Sequence, residues 1–304
     1  MALCAGQSIE SSFVGAKPGS YSFILKIHGL TKIIPSLSIG TILLKNRIII
    51  ASLLLILFTP MSFAINKQIA ITIDDLPFVG EAKNFHLDRI ITTLKEHDIT
   101  ATGFIIAGNI RPDNWPVLQK FKEAGLGLGN HTLTHANLNL LKPEAYIHEI
   151  DAADKILQPV LTEPKYFRYP YLATGSGEKK EKIKQFLTTK HYEVAPITVD
   201  SKDFVFNNIL LGVPEKERRS YINSLKQAYI EFIWQQTKQA EERAHYPKKA
   251  DQAQILLIHA NLLNAYLLPD IINLYEQNGY TFVSLNDALK TIHKASQPKV
   301  KKVS

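Results

Sequence analysis

From residue 68 onward the chain predicts an α/β fold, a distorted (β/α)7 barrel. Short runs rich in β-branched residues alternate with helical patterns in seven successive units, which argues for a parallel sheet wrapped by helices. The polar clusters fall just after these β-rich runs, where a barrel builds its functional face. Length agrees: 304 residues with 45% hydrophobic content can bury one large core, and α/β barrels of this size are single domains.

In chain order, the expected strands cover 68–74, 102–106, 126–130, 165–169, 192–199, 254–259 and 280–284. Each is a short apolar or β-branched run bounded by turn residues. Helices are expected at 86–97, 114–124, 143–157, 177–190, 214–243, 264–277 and 286–294, with Pro143, Gly125, Gly279 and Asn286 punctuating starts and ends. One connection is an outlier, because the segment 204–253 before the sixth strand far exceeds the dozen or so residues a crossover uses. Within it Ile222, Leu225, Tyr229, Phe232 and Gln236 recur at helical spacing, which predicts a long amphipathic helix packed on the barrel as scaffolding.

The first 64 residues read differently. Lys45 and Arg47 precede the eleven-residue apolar run Ile48–Phe58, and Ser62-Phe63-Ala64 places small residues before a cleavage point. This is the three-part pattern of a secretory signal, and the run is shorter than the ~20 residues of a membrane span. The segment before Lys45 is too long for an ordinary signal, so either translation starts near residue 43 or the segment stays as an anchor. The expected organisation is a targeting region at 1–64, a barrel at 65–296 and a basic tail at 297–304, in an exported, periplasmic or secreted protein. A membrane is expected as a partner only through an uncleaved N-terminal segment.

Residues 1–64 hold five Lys/Arg and one acid, so only +3 of the formal net charge of +7 belongs to the remainder. No Lys/Arg cluster resembles a nucleic-acid stripe, which excludes that partner class. The single cysteine, Cys4, lies in the targeting region. A chain without it has neither a disulfide framework nor a thiolate metal site, so any metal must use His and carboxylates.

Such a set is present. Asp74 and Asp75 close the run Ile69-Ala-Ile-Thr-Ile-Asp-Asp, and adjacent acids repel unless a cation, a basic partner or a shared proton compensates. His131 and His135 are four apart, and a helical turn would put both rings on one side. Asp75 with these histidines gives three ligands and an open position, the pattern of a hydrolytic metal site. Zinc is the first choice for the divalent ion, with cobalt and others open.

Asp74, spare as a ligand, is placed to take a proton from the attacking water, with Arg168 keeping it ionised. His259 suits protonation of a leaving amine, and a backbone amide after Pro170 can face the oxyanion. Each residue alone has a plainer reading: either aspartate as a cap, His259 as a core histidine, Arg168 as one half of a surface pair, Tyr169 and Tyr171 as barrel packing. The conjunction carries the functional one.

These motifs resemble the polysaccharide deacetylase family, the NodB-homology domain of the carbohydrate esterases. Thr72-Ile-Asp-Asp-Leu-Pro77, His131-Thr-Leu-Thr-His135, Arg168-Tyr-Pro-Tyr171, Asp200-Ser-Lys-Asp203-Phe204 and Leu257-Ile-His259 follow the family's five motifs in order. The resemblance implies a NodB-type barrel, Asp74 as base, and Asp75, His131 and His135 as metal ligands. It further implies that Arg168 braces the base, the Tyr171 amide faces the oxyanion, Leu257 lines an acetyl-methyl pocket and His259 is the acid. Asp200, Asp203 and Phe204 would form a wall of the groove whose acid partners the arginine. Tyr169, Tyr171, Phe204 and Phe206 are candidates for apolar faces under pyranose rings.

Leu76 stands where the family has glycine, and a left-handed backbone there would be costly before Pro77. Phe204 replaces a tryptophan, keeping the aromatic wall without the indole donor. The expected activity is hydrolysis of the acetamide of N-acetylated amino sugars, in chitin-oligomer or peptidoglycan type glycans. A non-catalytic carbohydrate-binding barrel and a metal-dependent hydrolase of another acyl bond are the alternatives.

Overall fold

The computed structural model describes residues 10–17, 20–27, 30–33, 67–78, 84–245 and 252–296. The chain divides into two compact units, Met1–Ala64 and Ile65–Ser304. In the first, β1 (Glu10–Lys17), β2 (Ser20–Ile27) and β3 (Leu30–Ile33) form an antiparallel sheet in that order. The apolar run 48–58, the cleavage point at Ala64 and the tail 297–304 lie outside the described residues. Among the described residues no helix is long and apolar enough to cross a membrane.

The second unit is the expected barrel. Its strands are β4 (Lys67–Leu76), β5 (Ala101–Ile105), β6 (Gly127–Asn130), β7 (Lys165–Phe167), β8 (Tyr192–Val194), β9 (Val199–Asp200), β10 (Gln254–His259) and β11 (Tyr280–Phe282). They pair in parallel in the order β8-β7-β6-β5-β4-β10-β9, with β11 alongside the start of β4. The central run Ile69, Ala70, Ile71, Thr72 and Ile73 is buried at every position, as a strand covered on both faces must be.

The stretch expected as one strand at 192–199 is two. Ala195 donates its N–H to Phe167 on one side and Thr198 donates to Ile255 on the other, so a single segment passes from one sheet edge to the opposite one and closes the curl. Pro196 between them has no N–H with which to extend either ladder.

The helices are α1 (Asn84–Glu96), α2 (Trp115–Glu123), α3 (Pro143–Leu157), α4 (Gly177–Thr189), α5 (Asp203–Leu211), α6 (Glu215–His245), α7 (Leu262–Gln277) and α8 (Leu285–Ser296). Helix α5 was not expected: its sequence, DFVFNNILL, is apolar with little periodic contrast. The long helix of the insert is α6, and its buried stripe runs Ile222, Leu225, Tyr229, Ile233, Thr237 and Ala240, with Phe232 and Gln236 at its half-buried margin. It packs against α5, α7 and the β9 and β10 strands.

Close packing inside the barrel sets a first testable consequence. At Gly129 of β6, an added Cβ would lie 2.7 Å from the Tyr166 carbonyl oxygen and 2.8 Å from the Phe104 ring. Neither neighbour can retreat, since one is backbone and the other is a fully buried ring. Gly129→Ala is therefore expected to destabilise the fold by about 1–3 kcal/mol through overpacking, measured by urea titration, and an unchanged midpoint would contradict this packing.

Candidate active site

The two aspartates reach the same cavity because β4 is irregular. Successive side chains of a regular strand point to opposite faces, yet the β4/β5 register shifts between Ile73 and Leu76, and Asp75 is left-handed at φ 61. The strand thus runs on through its carboxylates to Leu76, and the left-handed residue is Asp75, with Leu76 buried at the strand end. Both carboxylates line a cavity of 340 Å³.

His131 and His135 also line it, but no helical turn brings them together. After β6 the chain bends through Thr132 at φ 68 and His135 at φ 58. A β-branched residue in that region is strained, and Asn130 Oδ1 compensates by accepting from Thr132 N at 2.8 Å while the Thr132 hydroxyl accepts from Ala136 N at 3.1 Å. Side-chain bonds to backbone, not helical geometry, set the two rings 5.0 Å apart.

Asp75 Oδ1 lies 3.2 Å from Nε2 of His131 and 3.2 Å from Nε2 of His135. The three ligand atoms lie within 4.8 Å of one another, as a shared ion requires. His131 Nδ1 donates to the Arg168 carbonyl at 2.8 Å, which leaves the Nε2 lone pair for the cavity, the usual outer support of a metal-binding histidine. Asp75 Oδ1 and Asp74 Oδ1 are buried without hydrogen-bond partners. Such anionic oxygens demand a cation, so these residues fit the divalent ion expected from the sequence. Burial pulls the Asp75 carboxyl upward, but the close approach of the His131 and His135 rings, with the charges of His131 and His259, holds it well below the usual carboxylate range.

Arg168 is wholly buried beneath the site, its Nη1 3.8 Å from Asp74 Oδ2. Its Nη2 donates to the Thr72 hydroxyl at 3.0 Å, and its guanidinium sits 4.8 Å from the Phe104 ring centre. Burial lowers its pKa and the Asp74 charge partly restores it.

His259 ends β10 beside the carboxylates, its Nε2 3.9 Å from Asp75 Oδ2. Its Nδ1 is bonded to Asp203 Oδ1 at 2.7 Å, and its backbone N–H donates to Asp203 Oδ2 at 2.7 Å. Burial depresses the imidazole, but the charge and hydrogen bond of Asp203 prevail, with Asp75 and Asp74 adding, and lift its pKa to about 10. Burial likewise opposes ionisation of Asp203, yet the His259 charge and bonds and an Asn264 bond hold its carboxyl below the ordinary value.

Other expectations require correction. Asp203 is fully buried and partners His259, so it is neither a groove wall nor the arginine's acid; a carboxylate at the α5 N-terminus faces β10, whereas Arg168 faces β4. Tyr169 does not line the cavity: it is 6% exposed, stacked on Tyr146 and edge-on to Phe167, in the packing between α3, α4 and β7. Phe206 packs on Tyr229 and Phe232 of the insert helix.

Leu257, Asp200, Phe204 and Tyr171 do line the cavity, joined by Leu172 and Lys202, which the sequence reading missed. Asp200 is paired to Lys202 at 2.6 Å. Phe204 stands edge-on to the His259 ring at 6.4 Å, and Tyr171 covers His135 at 4.5 Å. Tyr171, Leu172 and Lys202 are all left-handed, at φ 56, 55 and 50, so backbone strain is concentrated around this cavity, as at functional sites generally. The Tyr171 turn is closed by bonds from Leu172 N to Tyr169 O and from Ala173 N to Pro170 O.

Comparison with known proteins agrees with this architecture. Residues 64–189 match the family model described as polysaccharide deacetylase. A peptidoglycan-N-acetylglucosamine deacetylase of Bacillus cereus is 28% identical over 152 residues, 47% of this chain and 51% of that protein. A chitin deacetylase of Arthroderma benhamiae is 28% identical over 184 residues, 57% of this chain and 47% of that protein. The chain thus spans about half the length of these curated relatives. In fold, a CE4 family pseudoenzyme from Bacillus anthracis superimposes with a TM-score of 0.51 at 19% identity, over 74% of this chain and 66% of that one. Residues 64–189 thus match the polysaccharide deacetylase family in sequence, and the parallel barrel agrees with it in fold.

Proposed function

We propose that this protein hydrolyses the acetamide of N-acetylated amino sugars in glycans of the chitin-oligomer or peptidoglycan type. The observation that carries the reading is the convergence on one cavity of Asp75, His131 and His135 with an unshared carboxylate, Asp74, and an imidazole, His259. The two curated relatives named above are deacetylases of peptidoglycan and of chitin, which supports the same substrate chemistry here.

Asp75, His131 and His135 would hold a divalent ion, zinc before cobalt given two imidazoles and a carboxylate. When bound, such an ion supplies Lewis acidity that activates water at neutral pH and polarises a carbonyl. The chain's residues do the rest. Asp74 receives the proton of the attacking water, and Arg168 beside it balances the buried negative charge. The Tyr171 amide is the donor offered to the developing oxyanion. His259, its ring fixed by Asp203, gives its Nε2 proton to the nitrogen as the C–N bond breaks. Leu257 and Leu172 provide an apolar wall for the acetyl methyl, and Phe204 a face for the sugar ring. Export, read from residues 45–64, fits a substrate that lies outside the cytoplasm.

The test is acetate release from chitin oligomers and from peptidoglycan, with and without a chelator. Release that chelation abolishes and zinc restores is expected. No acetate under any condition would make the barrel a carbohydrate binder, and faster release from O-acetyl substrates would assign it to another acyl bond.

A further inference from the structure

The long insert reaches the site through a buried chain of hydrogen bonds. Asp203 Oδ2 accepts from the His259 backbone N–H at 2.7 Å, from Asn261 Nδ2 at 2.9 Å and from Asn264 Nδ2. Asn264 Oδ1 in turn accepts from the Tyr229 hydroxyl at 2.8 Å. Tyr229 belongs to α6, and Tyr229, Asn264 and Asp203 are all wholly buried.

A side-chain amide has two unlike ends, one donating and one accepting. The Tyr229 hydroxyl occupies the accepting end of Asn264 and leaves its donating end for the Asp203 carboxylate. A flipped amide would set oxygen against oxygen at Asp203, where burial makes an unmatched contact costly. With Oδ2 held by three donors and Oδ1 by the His259 ring, the carboxylate is fixed in orientation, and the His259 ring it grips at Nδ1 keeps its Nε2 toward Asp75.

We propose that Tyr229 is a positioning residue for the proton donor His259, acting through Asn264 and Asp203, which makes the helical insert part of the reaction's machinery. The proposal rests on the deacetylation reading above. It gives the insert a role that packing alone does not require, since a phenylalanine would fill the same space under Phe206.

Leaving-group chemistry separates the two roles. When an amide is cleaved, the electron pair of the C–N bond goes to a nitrogen that must take a proton as it departs. When para-nitrophenyl acetate is cleaved, the pair of the C–O bond stays on a stable phenolate, which needs none. Losing the position of the acid therefore slows the first reaction and spares the second.

The experiment compares wild-type, Tyr229→Phe, His259→Ala and Phe206→Leu proteins on an N-acetylated chitin oligomer and on para-nitrophenyl acetate. Tyr229→Phe is expected to lower kcat on the oligomer about tenfold, part of the hundredfold or more that a general acid supplies. Its KM should change less than about twofold and its ester rate stay within about twofold. His259→Ala should show the same selectivity in larger measure. Phe206→Leu, which loosens the same helix contact, should lower the Tm and leave both rates alone. An unchanged oligomer rate in Tyr229→Phe, an equal loss on both substrates, or a selective loss reproduced by Phe206→Leu would overturn the proposal. A wild-type protein inert on the oligomer would overturn the deacetylation reading itself, and this inference with it.

Discussion

Replacing Asp75 by alanine is expected to strip the protein of its divalent ion and to lower oligomer deacetylation by about a thousandfold or more. Among the described residues, Asp75 is the one carboxylate whose oxygen sits between both imidazoles, 3.2 Å from each. Two histidines alone leave a site of lower charge and fewer ligands than a hydrolytic zinc centre uses. The Lewis acidity lost is of the order of ~4 kcal/mol of transition-state stabilisation, and ~1.4 kcal/mol corresponds to tenfold in rate. The check is metal content by mass spectrometry of the purified variant beside its kcat/KM. Full metal content with a rate within tenfold of wild type would remove Asp75 from the ligand set. The fold should survive, because Asp75 Oδ1 makes no hydrogen bond whose loss would leave a buried donor orphaned.

Much of this site was legible because its chemistry and its strand ends coincide in sequence. Asp74, Asp75 and His259 each close a β-rich run, and His131 directly follows one, so a parallel barrel had to gather them at one rim. What remained hidden depends on local backbone states and on long-range partners. The spacing of His131 and His135 suggests a helical turn, whereas the chain achieves the same convergence with two left-handed residues stabilised by Asn130 and Thr132. No periodicity encodes that.

Asp203 reads as a groove wall only through its resemblance to the fourth family motif, and nothing in those residues signals that it is buried. Its burial depends on donors from Asn261 and Asn264, residues that read as ordinary polar positions at the α7 start, where Asn261 Oδ1 does cap Asn264 N at 2.9 Å. Aromatic residues were the least legible: Tyr169, the more polar of the two, is stacked in the core, while the apolar Phe204, 43% exposed, lines the cavity. Helix spacing did identify Tyr229 as a core position of the insert, but its hydroxyl has meaning only once Asn264 is in place.

Asp74→Asn is expected to keep the ion and lose the reaction. The substitution preserves volume and leaves Asp75, His131 and His135 untouched, so metal content should equal that of wild type. An amide cannot accept the proton of the attacking water, and removal of a general base costs roughly 10²–10⁴ in kcat. Stability should fall as well. Arg168 Nη1 faces Asp74 at 3.8 Å, and Arg168 Nε and Nη1 have no hydrogen-bond partner, so neutralising the carboxylate leaves a buried guanidinium without its counter-charge. That contact is longer than a hydrogen bond, which places the cost nearer ~1–2 kcal/mol than the ~3–5 kcal/mol of a tightly bonded buried pair. The two effects separate experimentally: assays well below the variant's Tm sample folded protein only, and there the rate loss should persist in full. A near-normal kcat in folded Asp74→Asn would assign the proton transfer elsewhere. Loss of the ion would instead make Asp74 a ligand, as its 3.8 Å approach to His131 Nε2 permits, and would leave the attacking water without the base derived above.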